Sequence, residues 1–371
     1  MFFKYEFFIK EESILLFDVA EVKKGDRLIE VIATDIADLA MMGFGSVKNC
    51  ISVSNALIEN YTHVNFNIIR TKSDLDEIIY RKPDLVFSGI KYVIFNGLEI
   101  TKNRADKIWI SEYMEEAGIN YTGSEKDAIE LEFSKVAAKK RVEEFGINTA
   151  PYFIAKPGMY KSANELPVNF PLFIKPLREG DSKGIGSDSV VYDFESYQKK
   201  VQNIYTLFKQ PVLVEKFISG REFTVAILGS DFNCEPIAMP VEIIFPDKNS
   251  ANKILSYNIK KENKEKVIAI DDKDIYKSVV SIAKNAFIAL GARDYGRIDI
   301  IMDGNNCPYF LEANLVPGMT QRPRPIDCSY FPRACFINTN FTYQETVHKI
   351  AEIAFNRVES NITQERVGMC A

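Results

Sequence analysis

Apolar and polar positions alternate with a period of two in several short runs of this chain and with a period of about 3.6 in others. From "LIEVIATD" onward the order is strand, Gly-containing loop ("MMGFGSVKN"), helix ("CISVSNALIEN"), strand ("VNFNIIR"), helix ("SDLDEIIYRK") and strand ("DLVFSG"). Strands that alternate with helices predict a parallel α/β layer. "DKIWISEYMEEAG" has helical periodicity and stops at Gly118; beyond it come a short strand, a capping Ser124 and a longer helix ending at Gly146. After Pro151 the strand "FPLFIKPL" leads into the polar stretch "REGDSKGIGSDSVVYD", the helix "FESYQKKVQNIYTLF" and two strands in "PVLVEKFISGREFTVAILG". From about residue 223 the pattern predicts an antiparallel sheet, a lysine-rich loop ("SYNIKKENKEK"), the helix "DIYKSVVSIAKNAFIALG", a hairpin, and closing helices at "FPRACFI" and "YQETVHKIAEIAFNRV". Residues 1 to about 30 read as a small strand-rich extension, and no internal repeat or low-complexity tract occurs.

The hairpin "RIDIIMDGNNCPYFLEANLVPGMT" carries charge where a packed sheet wants apolar residues. A two-residue turn at Gly304 and Asn305 makes Arg297 face Glu312 and Asp299 face Phe310. Any register whose paired residue numbers sum to an odd value puts Arg297, Asp299, Glu312 and Asn314 on one face. Two readings of that face are open. It is solvated decoration of an antiparallel sheet, or a cation site built from hard oxygen ligands beside an arginine for a phosphate or oxyanion. The loop with Gly180, Gly184 and Gly186 is likewise either an ordinary Gly-rich hairpin or a cover for phosphates. Glu215 and Glu222 are surface charges, or they bind a nucleotide's amine and ribose hydroxyls.

Composition narrows the chemistry. The 371 residues suffice for two or three domains, and 46% hydrophobic with 26% charged content is ordinary for a soluble globular protein. A net charge of -5 gives no footprint for nucleic acid. The apolar start is broken by Lys4, Glu6 and Lys10, and no run reaches transmembrane length, so we expect a cytoplasmic protein with no membrane partner. Six cysteines without a CxxC pair fit a reduced protein. Two histidines, His63 and His348, make a histidine triad or metal cluster a poor candidate and leave lysines, arginines and carboxylates for any chemistry. "MMGFGSVKN" has only Gly43 and Gly45 and is not GxGxxG, which weighs against an oxidoreductase on the first layer.

Taken in order, Lys135, the IKP lysine Lys175, the Gly-rich loop, "VEKF…GREF", Arg297-x-Asp299 and Glu312-x-Asn314 resemble the ATP-grasp superfamily, and within it the D-alanine–D-alanine ligase family. "GINYTGSEKDAIELEFSK", "FPLFIKPLREGDSKGI", "VEKFISGREFTVAILG" and "GRIDI…FLEANLVPGMT" match that family's blocks over roughly residues 30 to 320. The resemblance implies an α/β fold, α+β in part, with ATP between the central and C-terminal domains. The expected division is 1–124, an N-terminal α/β domain; 125–222, a central lid; and 223–371, a C-terminal domain with the metal site. It implies that Lys135 and Lys175 contact ATP phosphates, and that Glu179, Gly180, Asp181, Ser182, Gly184 and Ile185 belong to the loop over the triphosphate. Glu215, Lys216, Phe217, Ile218 and Leu311 would line the nucleotide pocket, with Glu222 on the ribose. Asp299, Glu312 and Asn314 would hold two Mg2+ ions, with Mn2+ as the alternative. Arg297 and the Gly318 N–H would stabilise an oxyanion, with Ser182 and Lys260 acting over the same centre.

The chain departs from the family at its substrate positions. The family's N-terminal loop carries a His-Glu-type pair whose glutamate holds the first substrate's ammonium; "GFGSVKN" has no acid. Asp181 stands at the first serine of a Ser-Ser pair, and Pro323 at the serine that binds the second substrate's carboxylate. The expected activity is therefore ATP-dependent, ADP-forming ligation of a carboxylate to an amine through an acyl phosphate, joining amino acids or an amino acid and a small metabolite. A genuine D-alanine–D-alanine ligase of cell-wall synthesis is the alternative, and a non-catalytic nucleotide-binding protein the alternative of another class. Arg322, Arg324 and Arg333 are candidates for a substrate carboxylate. Small-molecule substrates are the expected partners, and a homodimer is left open.

Overall fold

The computed structural model describes residues 25–40, 43–94, 107–178, 184–229, 235–244 and 265–368. Most of the N-terminal extension, Glu179–Ser182 of the Gly-rich loop, and the lysine-rich segment with Lys260 lie outside the described residues.

The first layer is parallel, as alternating strands and helices require. It contains β1 (Gly25–Ala33), α1 (Val47–Ile58), β2 (Tyr61–Ile68), α2 (Lys72–Arg81) and β3 (Leu85–Ser88), in strand order β2-β1-β3. Ser46 caps α1 by accepting the Asn49 N–H, and Thr71 with Asp74 forms a capping box on α2. Central β1 is buried from Ile29 to Ala33, including Glu30. That carboxylate is satisfied by Arg81 at 2.7 Å and by the Asn65 and Asn67 amides.

The next stretch differs from its periodicity. "DKIWISEYMEEAG" splits into β5 (Ile108–Trp109), which pairs with β4 (Tyr92–Val93), and the short helix α3 (Ile110–Glu116). The single helix expected after Ser124 is two, α4 (Lys126–Phe133) and α5 (Lys135–Glu144), broken at Ser134, whose backbone is non-helical. Ser124 caps neither. Its hydroxyl accepts the Arg293 N–H instead, so a long-range contact takes the oxygen that a local rule assigned to the helix.

A four-stranded antiparallel sheet follows, in order β6-β9-β7-β8. Its strands are β6 (Tyr152–Ala155), β7 (Leu172–Pro176), β8 (Val190–Val191) and β9 (Val212–Lys216); α6 (Phe194–Phe208), capped by Asp193, packs on one face. Strand alternation sends Leu172, Ile174, Val212 and Val214 into that core. It sends Lys175 and Glu215 to the opposite face.

The last sheet runs β12-β11-β10-β13-β14. It comprises β10 (Gly220–Leu228), β11 (Ile237–Ile244), β12 (Lys266–Ile268), β13 (Tyr295–Asp303) and β14 (Pro308–Asn314). The helices are α7 (Lys273–Ala289), α8 (Tyr330–Thr339) and α9 (Tyr343–Gly368). Phe223, Val225, Ile227, Ile298, Ile300 and Met302 pack with α7 on one face. On the other, Ala226, Leu228, Met239 and Val241 meet Phe331, Ala334 and Cys335 of α8. No helix among the described residues is long and apolar enough to cross a membrane.

Gly220 opens β10 where the chain leaves the central sheet. A Cβ there would sit 1.8 Å from the Met302 carbonyl oxygen. Gly220→Ala therefore forces β10 and β13 apart, with an expected loss of about 2 kcal/mol or more. Urea unfolding of the two proteins measures it; an unchanged midpoint would mean that the strands yield freely.

Candidate active site

The hairpin meets its expected face by a route that the pattern did not show. Arg297 pairs with Asn314 and Asp299 with Glu312, two residues off the simple register. The ladder then slips between Asp299 and Ile300, so that Ile300 faces Phe310. The loop is longer than two residues: the Asp303 N–H bonds the Cys307 carbonyl and Asn306 takes a φ of 60°. The slip is a β-bulge, and Leu311 is the extra residue. It turns Phe310 into the α7 core and leaves the half-buried Leu311 beside Glu312. Arg297, Asp299, Glu312 and Asn314 remain together on the face that α8 only partly covers.

Asp299 is the hub of this face. The Arg297 guanidinium donates to both its oxygens at 2.9 Å, the Thr224 hydroxyl donates at 2.5 Å from β10, and the Asn314 amide nitrogen at 3.2 Å. Burial opposes the charge on Arg297, but Asp299 outweighs it and raises the guanidinium above its ordinary range, so it is a permanent cation. Glu312, half-buried opposite, makes no hydrogen bond or ion pair among the described residues. The Asn314 amide nitrogen is turned to Asp299, which leaves its oxygen for another donor or a cation. Among the described residues no three His, Cys, Asp or Glu side chains form a metal cluster. Two carboxylates and one amide oxygen fit a hard divalent cation that takes its remaining ligands from phosphates.

Glu215 lies on the open face of the central sheet. Lys175 reaches one of its oxygens at 2.6 Å from β7, and Lys139 the other at 2.7 Å from α5. Burial pushes the Glu215 carboxyl up, but the two ammonium groups outweigh it and hold it at about 2. The Lys216 ammonium is bound to the Asn169 and Phe170 carbonyls, and the Phe217 N–H to the Pro171 carbonyl. The Ile218 N–H has no backbone partner among the described residues. Lys135 is the first residue of α5, Glu222 lies half-buried on β10, and Gly184 and the half-buried Ile185 resume the chain after the Gly-rich loop.

Beyond the hairpin, the Gly318 carbonyl accepts the Ser329 hydroxyl at 2.5 Å, and its N–H has no backbone partner among the described residues. The three arginines part company. Arg324 faces water, paired with Asp327 at 2.6 Å. Arg322 is exposed, and its guanidinium makes no ion pair among the described residues. Arg333 is buried, donates to the Cys328 carbonyl at 2.9 Å, and stacks on the Tyr330 ring. The other neighbour of that ring is Arg297, 5.5 Å from its centroid, and the Tyr330 hydroxyl bonds Glu265 at 2.7 Å. Sequence reasoning missed Lys139, Thr224, Glu265 and Tyr330. The first sits in the helical run "KVAAKKRVEE", where adjacent Lys139 and Lys140 look alike.

The charged groups of the site thus lie on two antiparallel sheets, Lys175 and Glu215 on one and Arg297, Asp299, Glu312 and Asn314 on the other. Residues 142–352 match the family described as "D-ala D-ala ligase C-terminus". A D-alanine–D-alanine ligase of Vesicomyosocius okutanii subsp. Calyptogena okutanii (strain HA) is 33% identical over 289 residues, 76% of this chain and 89% of the relative. One from Methylacidiphilum infernorum is 32% identical over 240 residues, 65% of this chain and 72% of the relative. The D-alanine–D-alanine ligase of Bacillus anthracis, solved with ATP, has a TM-score of 0.66 at 20% identity, covering 91% of this chain and 100% of its own. The VanG D-Ala:D-Ser ligase of Enterococcus faecalis has a TM-score of 0.62 at 21% identity, covering 89% and 100%. The chain belongs to the D-alanine–D-alanine ligase family: it is an ATP-dependent ligase that forms a peptide bond and binds small-molecule substrates.

The Glu215 cluster makes a stability prediction. Because its folded pKa lies below the ordinary carboxylate value of 4.5, its contribution is complete above that pH and disappears as pH falls towards about 2. Glu215→Gln leaves two buried ammonium groups uncompensated and should cost about 3 kcal/mol at neutral pH. Denaturant unfolding against pH should show that gap closing in acid; a gap that widens in acid would contradict the charge assignment.

Proposed function

We propose that the enzyme is an ADP-forming carboxylate–amine ligase that joins two amino acids, or an amino acid and a small metabolite, through an acyl phosphate. The observation that carries this reading is the Asp299 face: a permanent guanidinium, two carboxylates and an amide oxygen side by side, with the Gly318 N–H following on the same strand's continuation. A carboxylate is a poor electrophile, and phosphorylation makes it a mixed anhydride that an amine can attack. Positioning and charge neutralisation are then the main demands, and no histidine is needed.

Division into 1–124, 125–222 and 223–371 is supported by the separate sheets. In this reading ATP lies between the second and third. Lys135 and Lys175 hold phosphates, and Glu215 with the Ile218 N–H reads the adenine, since the Phe217 N–H is already engaged. Lys216 shapes the pocket through its bonds to the Asn169 and Phe170 carbonyls, Leu311 lies under the nucleotide, and Glu222 meets the ribose. Asp299, Glu312 and Asn314 would hold magnesium, which would supply charge neutralisation for the triphosphate. Arg297 and the Gly318 N–H stabilise the oxyanion that forms when the amine attacks. Gly184 and Ile185 would cover the phosphates; Glu179–Ser182 and Lys260, expected to act over the same centre, lie outside the described residues.

The rewritten substrate positions support a substrate pair other than two D-alanines: no acid in Gly43–Asn49, Pro323 in place of a serine, and Tyr330 laid over Arg297. The names of the curated relatives favour the second reading, a genuine D-alanine–D-alanine ligase. Phosphate release screened across pairs of amino acids, with mass spectrometry of the products, separates the two. D-Ala-D-Ala as the dominant product establishes the second reading, and ATP turnover without any amide product overturns both.

Glu312→Gln should keep the fold and lower turnover by about 100-fold or more, because it removes one charge from the cation ligands. Near-normal turnover at saturating magnesium and ATP would remove Glu312 from the site. Arg322 is the arginine free to bind a carboxylate, so Arg322→Ala should raise the Michaelis constant of the amine substrate by about ten-fold, with that of ATP unmoved. Arg324→Ala, already paired with Asp327, serves as the control. If both leave the constants unchanged, the carboxylate is held elsewhere and the Gly43–Asn49 loop is the next place to probe.

A further inference from the structure

Lys139 is fully buried, and its neighbour Lys140 is exposed. An isolated buried ammonium is costly, so it persists only with a partner. Its partner, Glu215, is also the partner of Lys175, and one carboxylate needs only one cation for neutrality. Burial pushes Lys139 down from its ordinary value and Lys175 adds to that, with Glu215 opposing both, so Lys139 depends on Glu215 for its charge and the two lysines together exceed the single negative charge of that carboxylate. The 2.7 Å contact between Lys139 Nζ and Glu215 Oε1 also lies off hydrogen-bonding angles, so both atoms retain hydrogen-bonding capacity in a place closed to water. The charged and titratable groups around the pair are Lys175 from β7, Glu143 from α5 and Tyr152 from β6, whose backbone lies directly beside Glu215.

We infer that Lys139 is a positioning residue for nucleotide binding: it keeps Glu215 ionised and in place when Lys175 leaves that carboxylate for a nucleotide phosphate. The inference rests on the proposed ATP role of Lys175. In the nucleotide-free protein the two lysines share Glu215. On binding, Lys175 moves to the phosphates, and the oxygen it releases accepts an N–H of the base. Lys139, on α5, stays. The exchange conserves charge inside the protein and moves no proton. Without Lys139 the same exchange would strand a buried carboxylate with no cation. That carboxyl would then take up a proton as nucleotide binds, because burial alone pushes it up.

This distinguishes positioning from mere structure. The probe is magnesium with the non-hydrolysable ATP analogue AMP-PNP, titrated calorimetrically in buffers of different ionisation enthalpy. Comparing variant with wild type at each pH cancels the nucleotide's own titration. Lys139→Met should bind about ten-fold or more weakly at pH near 8, with the ratio shrinking as pH falls towards about 6, and should take up an extra proton on binding. Lys139→Met combined with Glu215→Gln should show neither the pH dependence nor the extra proton. A variant-to-wild-type ratio that is constant with pH, with no extra proton, overturns the proposal and leaves Lys139 a packing residue. If Lys139→Met does not fold, wild type against Glu215→Gln decides. A proton taken up by wild type and missing in Glu215→Gln overturns the proposal, and equal uptake supports it. Failure of wild type to bind AMP-PNP at all would instead strike the ATP assignment itself.

Discussion

A carboxylate buried between two ammonium groups sets the terms for the middle of this protein. Glu215 can stay ionised away from water only because Lys139 and Lys175 converge on it from a helix and a neighbouring strand. The contact fixes α5 against the face of the central sheet that α6 leaves open. It also sets two lysines on the open face of that sheet, over its two central strands. Packing and binding thus draw on one interaction, and the face that looks least like a hydrophobic core is among the most constrained.

The C-terminal sheet follows the same logic in another form. One face is closed by α7 with aliphatic and aromatic residues. The other is apolar only as far as α8 reaches, and polar beyond. Tyr330, the first residue of α8, stands at that border, with guanidinium groups as neighbours and a carboxylate on its hydroxyl. Where the helix begins therefore decides how much of the Asp299 face is left for a ligand.

Much of this was readable in the order of residues. Strands and helices of the first layer, α6 with its Asp193 cap, and the four polar groups sharing a hairpin face all follow from periodicity and cap chemistry. The misses have physical causes. The Ser124 hydroxyl is taken by a long-range contact with the Arg293 N–H, and the α4–α5 break falls at Ser134, across which the helical periodicity runs on. The register of the hairpin depended on a three-residue loop and a bulge, neither of which alters the composition of the alternating runs. Lys139 could not be told from Lys140, because the partner that buries it lies in a strand far along the chain. Arg322, Arg324 and Arg333 looked equivalent in sequence and have three different surroundings.

The bulge at Leu311 has a consequence for how the chain can change length. With Leu311 in the chain, a regular ladder would carry Phe310 on the polar side and send Leu311 inward, so the bulge is what keeps Phe310 in the core while Glu312 stays on the polar face. Deleting Leu311 would straighten β14 and keep Phe310 inside and Glu312 outside, whereas deleting one residue between Glu312 and Asn314 would exchange inside for outside beyond that point. Adding or removing a residue in the Gly304–Asn306 loop would leave that arithmetic untouched. The hairpin tip is therefore open to insertions and deletions, and a few residues away the spacing is locked, so that related chains are free to differ in the length of the loop but not in the count from the bulge to Asn314.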